Sequence, residues 1–398
     1  VLFSYFTSNQ ETIFKEAVLL SLAYVYGGNN NVQTRFFQKF IEDRENRAMS
    51  EFNRQLTQLA KEFRLEEEKR MKVLYFESHK YLLTNLDEAK PQDLEKHITM
   101  TLPKKYTEFA LENKNTTRLL IIMNFFQCLC ENQFKYFQNF FREQKWDGHT
   151  YPRPFDLIDF LRHFFENYYR IACRYNLIIG SQILELIIEV IEGENKENIM
   201  ELFHKALIYD LSRILTDYNT IVHLIPKGFG SNPFHPNFRE FKIQVTNVFK
   251  TILENGTRAE VEAMKRHLDF VDLMKVLLSA FDSFMEEKKL NSKSDLKSLI
   301  PKLTNDDFKG TLLISINIYI LLRYIWEDNS DFQEKMKKLV TKAYDDDLVS
   351  QERLNHIIFR LFRKLVHSVE ISIDTRSHSL RRVWFPVIAV CHYFSRDS

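Results

Sequence analysis

LLIIMNFFQCLCENQFKYFQNFF, residues 119–141, is the stretch whose reading decides the fold. Leu119 to Cys130 is apolar on nearly every side, the pattern of a helix buried all round rather than a surface helix with one wet face. It runs without Gly or Pro into Glu131, and a second aromatic-rich helix follows at once. Bulky Phe side chains in both segments predict inter-helix packing. A carboxylate where a buried helix ends is a charge that needs a reason.

Working outward, composition agrees with helices. Gly and Pro number nine each in 398 residues, against usual levels of roughly 7% and 5%. Such a shortage of breakers leaves little room for β-meanders or tight-turn barrels. Phe is abundant, with 35 copies. The 55 basic and 54 acidic residues nearly cancel, and the basic stretches are interleaved with acids, so no nucleic-acid footprint exists. Four cysteines with no C-x-x-C pair fit a reducing compartment. Cys128 and Cys130, two apart, point about 200° apart on a helix and make a poor two-sulfur metal grip.

Residues 11–26 read as a helix closed by Gly27-Gly28, and Asn29–Asn31 turn the chain into a second helix. Helix, turn, helix is the unit of an α-solenoid, and without a short strict period an armadillo-like one is expected. Residues 42–75 predict a long exposed or connecting helix, and Gly180-Ser181 predicts a helix stop and restart. The Pro-rich stretch 225–237 is the sharpest break, helical pattern resumes at Phe238–Leu253, and 288–307 reads as a polar connection. Helices are expected again at 310–326, 330–343 and 351–366. Thr311–Leu322 contains Ser315 and Asn317 and falls short of the ~20 apolar residues of a membrane span, so it reads as a buried core helix. Val369–Ile373 alternates with period two, and Val383–Val387 is the expected returning strand. The fold expected is therefore all-α with a short C-terminal β-hairpin. No signal-peptide pattern opens the chain at Val1, and it reads as a piece of a longer protein.

Four segments, in order, resemble one family. Asn124–Gln144 is similar to the Leu-Leu-Cys-Glu-Asn signature and following helix of the inositol trisphosphate receptors, with the ryanodine receptors as cousins. Ser181–Asn198 resembles their Leu-Thr-Glu helix, with Glu189 at the acid and Ile188 in place of the small polar residue. Asn317–Ile325 is close to their Asn-Ile-Tyr-Ile-Leu helix. Val369–Ser398, with Phe385-Pro386-Val387, resembles the strand pair before the first membrane helix, and Gly27–Phe40 fits a turn of the same solenoid. The organisation this implies is a helical-repeat segment at 1–83, a linker at 84–117 and an RIH-associated-like helical region at 118–224. Continuing α-solenoid at 225–366 and a β-hairpin opening a lateral domain at 367–398 complete it.

The resemblance implies a cytosolic regulatory segment of a homotetrameric calcium-release channel of the endoplasmic reticulum type. Its partners would be upstream ligand-binding domains and a downstream membrane domain of the same chain. The cofactor implied is a regulatory Ca²⁺ held by Glu131 and Glu189, with a third ligand from outside this stretch. Ca²⁺ takes oxygen ligands at about 2.3–2.6 Å, so two carboxylates suit a modest-affinity sensor. Glu185 and Glu192 share the face of Glu189 at i−4 and i+3. On residue type alone, both acids read as ordinary solvated carboxylates at helix ends or on polar faces. A helical scaffold without a pore is the alternative for the whole chain.

Other chemistry finds no support. Asp345–Asp347 with Ser350 and Glu352 lacks the alternating acids and central Gly of an EF-hand loop and reads as a helix-cap cluster. The histidines, His223, His235 and His267 among them, show no zinc spacing and no nucleophile partner. No phosphate-binding or nucleophile-elbow motif occurs, and the chain is not expected to be an enzyme.

Overall fold

The computed structural model describes residues 2–8, 10–84, 114–169, 177–193, 195–204, 207–216, 236–288, 310–326, 362, 365–374 and 379–386. The chain divides into two units, Val1–Gln244 and Val245–Ser398.

In the first unit a 3-10 helix (Leu2–Thr7) leads to α1 (Glu11–Val25), α2 (Asn30–Glu42) and α3 (Arg47–Thr84). Next come α4 (Lys114–Cys130), α5 (Lys135–Arg142) and a small hairpin of β1 (Lys145–Trp146) and β2 (His149–Thr150). Then follow α6 (Leu157–Tyr169), α7 (Leu177–Ile191), α8 (Lys196–His204) and α9 (Leu207–Thr216). The apolar helix of residues 119–130 is the hub: α4 packs against α1, α3 and α7. Apart from the half-buried side carrying Asn124 and Gln127 it is apolar, so it needs neighbours on several sides, and Phe supplies them. Phe6, Phe52, Phe125, Phe126, Phe137 and Phe141 are all fully buried. The Phe126 ring centroid lies 4.9 Å from that of Phe52 and 4.8 Å from that of Phe141, within the range of favourable aromatic pairs.

Three local expectations change. The charged helix α3 is not simply exposed: Ala48, Met49, Phe52, Leu56, Leu59 and Phe63 form a buried stripe along its first half, at the 3–4 spacing of an amphipathic face. Gly180-Ser181 does not stop a helix but lies inside α7. A Cβ at Gly180 would come within 2.5 Å of the Phe241 ring and 2.6 Å of the Tyr168 ring, so this glycine serves close packing rather than a turn. Helix α4 begins at Lys114, inside the stretch expected as linker. The β1–β2 hairpin, turned by Asp147 and Gly148 at positive φ, was not legible in so short a pattern.

Helix α10 (Pro236–Asn255) begins in the first unit and continues into the second. There α11 (Arg258–His267), α12 (Phe270–Glu287), α13 (Thr311–Trp326), β3 (Val366–Asp374) and β4 (Ser379–Pro386) follow. Thr257 and Glu260 form a capping box on α11, and Asp269 accepts from the Val271 and Asp272 amides to start α12. Helix α13 packs along α12, and its polar Ser315 and Asn317 are satisfied by the Leu277 carbonyl (3.2 Å) and Thr246 Oγ1 (2.9 Å). It is the expected buried core helix. Among the described residues, no helix is long and apolar enough to cross a membrane. Strands β3 and β4 pair antiparallel from Val366↔Pro386, with an irregularity between Ser372 and Asp374. The hairpin is seated on α13 by the Trp384 N–H, which donates to Tyr324 Oη at 3.0 Å, and by Arg323 over the Trp384 ring. The chain is all-α with a short C-terminal hairpin.

Most of the linker at 84–117, the Pro-rich stretch up to 235, the polar connection after Lys288, the helices expected at 330–343 and at 351–361, the Asp345–Asp347 cluster, His223 and His235 lie outside the described residues.

The hub makes a direct prediction. Phe126→Ala should cost about 3–5 kcal/mol, whereas Phe76→Ala, on a residue 65% exposed, should stay within about 0.5 kcal/mol. Urea unfolding followed by circular dichroism measures both, and equal effects would refute the packing described.

Candidate cation pocket

Glu131 is placed by an abrupt end to α4. Its amide still donates to the Gln127 carbonyl, but Asn132 and Gln133 both take left-handed φ values of 59° and 58°, and the chain reverses into α5. Such values cost energy for residues with a Cβ, least for Asn. The turn is held from the α1–α2 connection. Buried Gln33 on α2 donates through Nε2 to the carbonyls of Cys128 (3.0 Å), Leu129 (3.3 Å) and Glu131 (2.9 Å). These are carbonyls that a helix C-terminus otherwise leaves unpaired. Asn132 Nδ2 donates back to the carbonyls of Gly28 (2.9 Å) and Gly27 (3.3 Å). Gly28 has φ +67°, and a Cβ there would lie 2.2 Å from Asn132 Nδ2 and 2.9 Å from Glu131 Cβ. Only glycine fits both demands.

Glu189 is placed by a parallel device. It lies in the last turn of α7, whose end is capped by buried Gln138, with Nε2 donating to the carbonyls of Glu189 (2.7 Å) and Glu192 (3.0 Å). Asn198 Nδ2 donates to the Val190 carbonyl at 2.8 Å and to that of Gln138 at 3.1 Å. After α7 the chain turns at Gly193, φ +78°, where a Cβ would meet Gln133 Cβ at 2.8 Å. The turn after α7 therefore abuts the turn after α4.

The result is a pocket of about 420 Å³ lined by Glu131, Asn132, Gln133, Glu189 and Glu192. The two acids singled out in the sequence share it, although they are 58 positions apart (189 − 131). None of the lining residues is Lys or Arg. Burial, then the charges of Glu192, Glu131 and Glu185, push the Glu189 carboxyl up to about 7. Its Oε2 is buried with no hydrogen-bond partner. Burial also raises Glu192, while burial and then Glu240 raise Glu185, whose Oε1 accepts from Gln244 Nε2 at 3.0 Å. Glu185 thus faces α10 rather than the pocket. The neighbouring thiols are inert: burial and then Glu131 push Cys128 up to about 12, and burial holds Cys130 well above its ordinary value. Hard oxygen donors, protonated thiols and two helix C-termini with their negative dipole ends favour a hard cation. Among the described residues, no three His, Cys, Asp or Glu side chains converge closely enough to hold a metal ion by themselves.

Sequence reasoning missed the amide caps Gln33 and Gln138. The signal was there: Gln33 shares a helical face with Phe36, Phe37 and Phe40, and Gln138 with Phe134 and Phe141. A glutamine on a Phe stripe is buried, and a buried amide has partners.

Residues 113–215 match the family described as RyR and IP3R Homology associated. Over that segment the chain is similar to the ryanodine and inositol trisphosphate receptors. The matched RyR and IP3R homology-associated domain runs through α4 to α9 and holds both Glu131 and Glu189. No curated protein matches the chain.

The raised Glu189 carboxyl fixes a pH dependence for this domain. Between the ordinary carboxylate value of 4.5 and about 7, Glu189 is protonated when folded and ionised when unfolded. The folded state binds more protons there, so this group's contribution to stability falls as pH rises through that window. With calcium chelated, Glu189→Gln should melt higher than wild type at pH 8, and the gain should shrink toward pH 5. A gain of the same size at both pH values would show that the carboxyl is not held protonated.

Proposed function

We propose that this chain is a cytosolic regulatory and coupling segment of a tetrameric intracellular calcium-release channel, and that its Glu131–Glu189 pocket senses Ca²⁺. The observation that carries the reading is the convergence on one pocket of the two acids that the sequence resemblance singles out, with Glu189 Oε2 buried and unpartnered. An oxygen that has lost water and gained no donor is stabilised by a cation. Glu131 and Glu189 would hold the ion, and Asn132, Gln133 and Glu192 line the space around it. With no third ligating group converged, the remaining coordination falls to water and to a carbonyl from elsewhere in the assembly, which suits a sensor rather than a buffer.

Coupling follows from where the ligands sit. Each acid rides on the end of a different helix, so an ion drawn to both favours one angle between α4 and α7 over others, the differential contact a switch requires. The hairpin seated on α13 through Trp384 is the element that would pass the bias toward a membrane domain.

In the intact protein, Glu131→Gln and Glu189→Gln should each raise the calcium concentration for half-maximal activation by at least tenfold. Binding of the upstream ligand should be unchanged. Calcium activation that is unaltered in both variants would overturn the assignment, and a pore-less helical scaffold would show no calcium-evoked current at all.

A further inference from the structure

The acid turn is gripped by a part of the chain 98 residues upstream of Glu131. Gln33 occupies a position on the Phe stripe of α2 that Met or Leu would fill with equal volume. The amide instead leaves its Oε1 buried with no hydrogen-bond partner, a cost an apolar residue would not carry. Turning the amide over would set that oxygen against three carbonyls, so the orientation is fixed by chemistry. What the amide provides is Nε2 directed at the Cys128, Leu129 and Glu131 carbonyls, with the shortest contact, 2.9 Å, to Glu131 itself. The grip is reciprocal, since Asn132 Nδ2 returns to the Gly27 and Gly28 carbonyls. It is also tight, since a Cβ at Gly28 would come within 2.9 Å of Glu131 Cβ.

We propose that the α1–α2 turn, acting through Gln33, Gly28 and Asn132, is a positioning element of the cation pocket, so that displacement of the N-terminal helix pair is read as a change in cation affinity. This rests on the reading of the pocket as a calcium site. Gln33 touches no ion; it sets where the Glu131 backbone stands and thereby where its carboxylate reaches. Gln138 does the same for Glu189 from the neighbouring α5, but Gln33 does it from a separate helix pair. That makes the α1–α2 turn a route by which a conformational change upstream reaches the ion, and by linkage the ion reaches back.

The test is equilibrium dialysis of the intact protein against calcium alone, with thermal melting alongside. Gln33→Met should weaken calcium binding about tenfold, as loss of an outer-shell partner does. Gly28→Ala, which presses on Glu131 Cβ, should shift binding in the same direction. Gln144→Met is the matched control. Gln144 is equally buried and caps the Phe140 and Phe155 carbonyls at 2.7 and 2.8 Å, away from the pocket. Its Oε1 also accepts from the Phe155 amide, so this variant should lower the melting temperature at least as much as Gln33→Met does and leave calcium binding unchanged. Wild-type binding in Gln33→Met and Gly28→Ala, or equal weakening in Gln144→Met, would overturn the proposal. Glu131→Gln separates the two layers. If it binds calcium like wild type, the calcium reading itself fails; if it binds weakly while Gln33→Met does not, only the positioning role fails.

Discussion

Two helices, α4 and α7, end side by side, and each points its carbonyl end and a carboxylate into one pocket that no lining lysine or arginine neutralises. The rest of the first unit is arranged to tolerate this. Helix C-termini leave carbonyls without partners, and here buried amides pair them: Gln33 for α4, Gln138 and Asn198 for α7. The backbone is thereby satisfied while the side-chain charges are not. The cost falls on Glu189, whose carboxyl is pushed up to about 7 by burial and by its acidic neighbours and so resists ionisation. A protein that only needed a stable helical stack would place an apolar residue there.

The stack itself makes the arrangement rigid. Phe52, Phe126 and Phe141 lock α3, α4 and α5 together at ring separations below 5 Å. The acid turn is wedged between Gly28 on one side and Gly193 on the other. Two consecutive left-handed residues, Asn132 and Gln133, store strain in that wedge. Cores packed this closely do not deform continuously, so a small displacement at the α1–α2 turn is passed to Glu131 rather than absorbed.

The apolar run of residues 119–130 revealed the buried hub because a helix that is apolar on nearly every side must be covered on most of them. The glycine pair at 27–28 and the alternation at Val369–Ile373 gave away the first turn and the hairpin for similar reasons of local chemistry. What stayed hidden depended on contacts between distant segments. Gly180 looked like a helix stop, since local propensity disfavours glycine in a helix, but Phe241 and Tyr168 leave no room there for a Cβ. The first half of α3 looked wet because charges are interleaved along it, although its apolar residues fall on one face. In the pocket, the two acids were legible through resemblance, and Gln33 and Gln138 were not. Their place on Phe stripes marks them as buried, but a carbonyl partner 98 residues away, as Glu131 is from Gln33, leaves no local pattern.

The proposal most open to direct measurement is that Ca²⁺ binds this pocket by displacing a proton from Glu189. Ligands must give up protons to bind a metal. With Glu189 titrating near 7, calcium binding at pH 7 should release about half a proton per site. Calorimetry of calcium binding to the intact protein, repeated in buffers of different ionisation enthalpy, counts those protons. The apparent enthalpy should depend on the buffer at pH 7 and not at pH 9, and Glu189→Gln should release no proton. An enthalpy independent of buffer at pH 7 would contradict the claim.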